Sequence, residues 1–76
     1  MKIDNSYGAL IKRLREERGL TQKQLAGMLS VAQPHISRWE NGEREISISM
    51  LKHIAKAFDL SLIDIIKIAE DEGTGD

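Results

Sequence analysis

Gln33, Pro34, Ser37 and Arg38 stand at relative spacings of one, four and five, and on a helix those spacings fall on one stripe. The stripe would carry an amide, a ring, a hydroxyl and a guanidinium. Such a set suits the edges of base pairs in a major groove, where Gln pairs with adenine, Arg with guanine, and apolar or hydroxyl groups meet a thymine methyl or another base edge. Covalent chemistry has no comparable set. Ser37 lies close to His35, but a nucleophile also needs an oxyanion site and a pocket, so no catalytic residue is assigned. His35 and His53 lack acidic neighbours at ligand spacing, and with no cysteine present neither a metal site nor a disulfide framework is expected.

For the stripe to face outward, Ile36 and Trp39 must turn inward, and the segment TQKQLAGMLSVAQPHISRWENG reads as two short helices joined by a tight turn. Thr21 caps the first, and Gln24 three residues later completes a capping box. Leu25, Ala26 and Leu29 then share one face. The second helix, 33–40, begins near Gln33 and Pro34, where the missing N–H of proline costs nothing, and Asn41-Gly42 stops it.

Three further helices are expected. One runs from about Ser6 to Arg18, buries Tyr7, Leu10, Ile11 and Leu14, and ends at Gly19; another, capped by Ser47, buries Ile48, Leu51, Ile54, Ala55 and Phe58. The last starts at Ser61, with Asp64 in its first turn. No strand pattern or internal repeat occurs. Residues 70–76, EDEGTGD, offer nothing apolar to bury, so the division is a folded domain over 1–69 and a disordered acidic tail over 70–76.

Taken together, L-R-x-x-R-G-L-T-Q-x-x-L-A, I-S-R-W-E-N-G and S-x-x-x-L-x-x-I-A-K-A resemble the helix-turn-helix of the Cro and phage-repressor superfamily, often called the XRE family, over about residues 7–66. The resemblance implies an all-α, five-helix lambda-repressor-like DNA-binding domain with a central helix-turn-helix. It also implies an internal ion pair between Arg15 and Glu40, bracing the first helix against the end of the recognition helix. Gln22, at a helix N-terminus, suits a phosphate, and Lys23, His35, Asn41 and Arg44 are further candidates for the DNA backbone. Three positions depart from the family pattern. Ser30 replaces a turn glycine, Ala32 replaces a capping residue so that Gln33 would be the cap, and Glu43 and Glu45 occupy a loop that is often basic.

A chain of 76 residues makes one domain with little room for a catalytic cleft, and a non-enzymatic role without cofactor or small-molecule ligand is expected. No signal peptide or membrane-length apolar run is present, which points to the cytoplasm. Net charge is −1, yet residues 1–44 hold eight Lys or Arg against five acids, and residues 45–76 hold three lysines against seven. A basic front and an acidic back would orient the domain toward phosphates.

In the fifth helix Leu62, Ile63, Ile65, Ile66, Ile68 and Ala69 cover an arc of roughly 220°, whereas packing on one core needs a stripe of about 100°. The excess reads as an interface with a second copy, through Met50, Ile63, Ile66 and Ile68. The expected function is therefore a sequence-specific transcriptional regulator binding a palindromic operator in double-stranded DNA as a homodimer. The alternative is an antitoxin or other interaction module whose main partner is a protein. The stretch EREISISMLKHIAKAFDL looks somewhat like the controller proteins of restriction-modification systems.

Overall fold

The computed structural model describes residues 6–73 and shows five α-helices: α1 (Ser6–Glu17), α2 (Gln22–Leu29), α3 (Gln33–Glu40), α4 (Ile48–Ala57) and α5 (Leu62–Gly73). The largest fully buried side chains are Ile11, Leu25, Ile36, Ile54 and Ile65, one from each helix. Around them close Leu10, Leu14, Ala26, Leu29, Trp39, Leu51, Ala55 and Phe58. No single helix has an apolar partner of its own; the five share one centre. No helix among the described residues is long and apolar enough to cross a membrane.

The starts of α2, α4 and α5 are set by side chains. Thr21 accepts from the Gln24 backbone N–H while Gln24 Oε1 accepts from the Thr21 N–H, and Ser47 Oγ accepts from the Met50 N–H. Ser61 and Asp64 form a second reciprocal box, each side chain bonded to the other's backbone N–H at 3.0 Å. The Ser61 backbone and hydroxyl bonds, with Lys67 nearby, hold the Asp64 carboxyl below the usual carboxylate range. A lowered carboxyl pKa stabilises the folded chain above that usual range, and the contribution fades as pH falls through the lowered value. Helix α3 differs. Its N-cap is Ala32, with no side-chain bond, and Gln33 is the first helical residue rather than the cap. Gln33 is thereby left free to point elsewhere.

Four helices stop in the same way. Gly19, Ser30, Gly42 and Asp59 take positive φ of 70°, 58°, 77° and 64°. The next residue's N–H reaches back five positions in each case: Leu20 to Arg15, Val31 to Ala26, Glu43 to Arg38 and Leu60 to Ala55, at 2.8 to 3.1 Å. This is the Schellman closure, which satisfies the last carbonyls of a helix. Leu20, Val31 and Leu60 then pack on the core, so each stop also aims the chain. At Ser30 the left-handed conformation falls on a residue with a Cβ. Ser30→Gly should raise the unfolding free energy by about 1 kcal/mol, read as a higher melting temperature; an unchanged or lower one would mean the turn carries no strain.

Two sequence expectations need correction. Ile48 is 63% exposed, because the first residue of α4 projects past the core that Leu51 and Ile54 reach. The fifth helix continues through Gly73, so residues 70–73 are helical rather than a disordered tail; 74–76 lie outside the described residues. Extending an existing helix needs only one residue fixed per hydrogen bond gained, and glutamate is a good helix former.

Candidate nucleic-acid interface

Helix α3 is held on its inner side by Ile36, Trp39 and Glu40, all buried. Its outer side therefore presents Gln33, Pro34 and Arg38, exposed, with Ser37 half-exposed between them. Pro34 sits in the first turn. His35 is half-buried and stacks on Trp39, ring centroids 6.0 Å apart and planes 29° apart. That contact ties the imidazole to the flank of the helix rather than to its outer stripe. Lys23, Asn41 and Arg44 are exposed at the ends of α2 and α3 and in the following loop, where Glu43 and Glu45 are exposed as well.

Behind the stripe lies a chain of polar contacts that starts in the interior. Arg15 on α1 meets Glu40 on α3 through two bonds: Nε donates to Oε2 at 2.7 Å and Nη2 to Oε1 at 3.0 Å. Its remaining arm, Nη1, donates to the Leu20 carbonyl at 2.7 Å. Both residues are buried, with relative exposure of 7% each. Such a fork-to-fork pair is strong in geometry and keeps both charges partnered away from water. The hydrogen bond to Glu40 raises the Arg15 pKa above its ordinary value, outweighing the effect of burial, so the guanidinium stays charged.

From Glu40 the chain runs outward. Gln22 Nε2 donates to Glu40 Oε1 at 3.0 Å, and Gln33 Nε2 donates to Gln22 Oε1 at 3.2 Å. The Gln33 amide, standing in solvent, is thus positioned by three residues from α1, α2 and the far end of α3. Both ends of the Gln22 amide are engaged, while its second N–H and the backbone N–H groups of Gln22 and Lys23 at the start of α2 lie outside the cap formed by Thr21. Among the described residues no buried side-chain nitrogen or oxygen lacks a partner.

Sequence reasoning missed Gly8. It lies buried in α1, and a Cβ there would overlap the carbonyl oxygen of Trp39 and stand 3.5 Å from that of Glu40. Helix α1 therefore touches the end of α3 backbone to backbone. The available signal was a glycine inside an otherwise amphipathic helix, which usually has a packing reason.

Of the residues expected at a self-interface, Ile63 is 64% exposed. Ile66, Ile68 and Met50 are half-buried; Ile68 and Met50 also lean on the core. Met50 borders a hollow of about 310 Å³ with His35, Trp39 and Arg44, so it lies close to the α3 end of the molecule.

The helix-turn-helix family HTH_3 matches residues 11–65, from α1 into α5. The chain is 38% identical over 64 residues to the competence pilus inhibition repressor of Acinetobacter baylyi, a match that spans 84% of this chain and 58% of that protein. It is 43% identical over 54 residues to the HTH-type transcriptional regulator PrpR of Mycobacterium tuberculosis, covering 71% of this chain and 11% of the relative. Among solved structures, a tyrosine-to-phenylalanine mutant of the restriction-modification controller protein C.Esp1396I superposes with a TM-score of 0.86 at 27% identity, over 93% of this chain and 90% of that one. With a central α2–turn–α3 unit, an exposed α3 stripe and these likenesses, the chain belongs to the XRE-type helix-turn-helix family of transcriptional regulators.

Proposed function

We propose that this chain regulates transcription by binding a two-fold operator as a homodimer, with the outer stripe of α3 in the major groove. The observation that carries the reading is the Gln33 amide, exposed and yet held by Gln22. With one N–H given to Gln22, it keeps a second N–H and its carbonyl, the pair needed for an adenine edge. Arg38 and Ser37 lie about one turn further along, Arg38 as the guanine reader. Lys23, Asn41, Arg44 and the α2 N-terminus would hold the backbone, opposed by Glu43 and Glu45 in the same loop.

Selection of bound duplexes from random DNA tests the reading and supplies the preferred site. On that site Arg38→Ala should cost about 1 to 3 kcal/mol and flatten preference at one base pair. Equal loss on every single-base variant of the site would reduce Arg38 to a phosphate contact.

A single recognition helix buries too little DNA surface for tight specific binding, so a second copy is part of the proposal. Ile63, with Ile66, Ile68 and Met50 at the margins, is the surface for it, placing half-sites about 34 Å apart. Ile63→Lys should leave helicity intact, since the side chain is exposed, yet give a monomer in sedimentation and weaken operator binding by more than about tenfold. A dimer that still binds normally would place the self-interface elsewhere.

A further inference from the structure

The face of α4 turned away from the core has features that DNA reading and self-association leave unused. Ile48, Ser49, Lys52, His53 and Lys56 line an open groove of about 630 Å³. Met28, His53, Lys56 and Ala57 line a hollow of about 210 Å³. The two share His53 and Lys56 and so form one trough, running along α4 from Ile48 to Met28 near the end of α2. By helical spacing, 49, 53 and 56 lie on the side opposite the buried Leu51, Ile54, Ala55 and Phe58; 52 stands beside them, and Ile48 joins them because α4 begins there, past the core. Nothing in the core requires their character.

That character is mixed. Ile48 and Met28, at the two ends, are 63% and 48% exposed, and they are two of the three exposed large hydrophobics among the described residues. Between them the ionisable lining is Lys52, His53 and Lys56, with no carboxylate. This basic stretch sits in the half of the chain where acids outnumber lysines seven to three. Phosphates would satisfy the lysines but would gain nothing from covering Ile48 and Met28. A protein surface gains from both, since apolar burial and charge pairing then act on one footprint. Residues 48 to 56 span about 12 Å at about 1.5 Å per residue, or roughly two helical turns.

We infer that this trough is a docking surface for an acidic amphipathic helix of a partner protein, with its carboxylates at Lys52 and Lys56 and its apolar side chains on Ile48 and Met28. The mode is a helix laid in a groove, with anchors one turn apart. It does not involve the α3 stripe, so the partner can bind while the regulator is on DNA, and its failure would leave the DNA reading standing.

The test uses the full chain and a synthetic helical peptide with Glu on one face and Leu beside it, followed by methyl NMR of Met28 and Ile48 and amide NMR of the α4 backbone. Saturable shifts confined to these methyls and to Lys52, His53 and Lys56 are expected. Affinity should exceed that of an equally charged polyglutamate by about tenfold or more, and Ile48→Ser and Lys52→Glu should each remove most of that advantage without changing operator affinity. Equal binding of polyglutamate, or no saturable shift, would overturn the proposal. So would protection of the two methyls by a DNA duplex, which would assign the face to nucleic acid. A monomer on Lys52→Glu/Lys56→Glu substitution would assign it to a second copy and overturn the proposal likewise.

Discussion

Glu40→Ala is expected to lower the unfolding free energy by about 3 to 5 kcal/mol, because it strands the buried Arg15 guanidinium without its carboxylate. A small domain has about 5 to 15 kcal/mol in total, so the variant should sit near the edge of folding. Denaturant titration reads this as a lower midpoint with an unchanged slope. A second variant separates structure from recognition. Arg15→Met with Glu40→Leu removes both charges together and should recover most of the stability, since an apolar pair leaves no charge unpartnered. It cannot restore the bond from Gln22 to Glu40, so, if Gln33 reads a base pair as proposed, preference at that pair should stay weakened. A loss below about 1 kcal/mol for Glu40→Ala would show that water already reaches the pair.

Gly8→Ala should destabilise the fold by about 1 to 3 kcal/mol, although alanine is the better helix former by about 1 kcal/mol. The two effects oppose each other, and geometry decides. The added methyl meets the Trp39 main-chain carbonyl, which no change of rotamer can move aside. Helix α1 must retreat, and Arg15, seven residues on, retreats with it. The variant should therefore lose operator affinity as well as melting temperature, although residue 8 is not itself part of the α3 stripe. A raised melting temperature would mean that the helices are not in close contact at this point.

Much of this arrangement was legible in the residues because local chemistry wrote it. The Thr21–Gln24 box, the Ser47 cap, the glycine stops and the inward spacing of Ile36 and Trp39 each act within one turn, and the helices they delimit are the ones observed. Ile48 shows where such reasoning ends. Periodicity gives the angle at which a side chain leaves its helix but not whether the helix extends past its neighbours there. Asp59 is a related case, a left-handed stop on a residue that does not advertise it. The tail over 70–73 was misjudged because composition describes what a segment buries, not whether a helix already under way continues through it. The Gln22–Gln33 bond joins residues eleven apart across a turn, and Gly8 meets Trp39 across two helices. Neither can be read without the tertiary distance.

The contacts running from Arg15 to Gln33 also bear on how this protein's target preference can be altered or inherited. The surface that would face DNA occupies one side of an eight-residue helix, which invites moving that helix alone onto another scaffold. A graft of that kind would carry the letters without the hand that holds them. Gln33 would arrive free to rotate unless Gln22, Glu40 and Arg15 came too, and of these only Glu40 lies on α3. On the proposed reading, substitutions deep in α1 would likewise retune which sites are bound while the outer stripe stays identical residue for residue. Two relatives with the same outer stripe need not share an operator, and the place to look for the difference is inside.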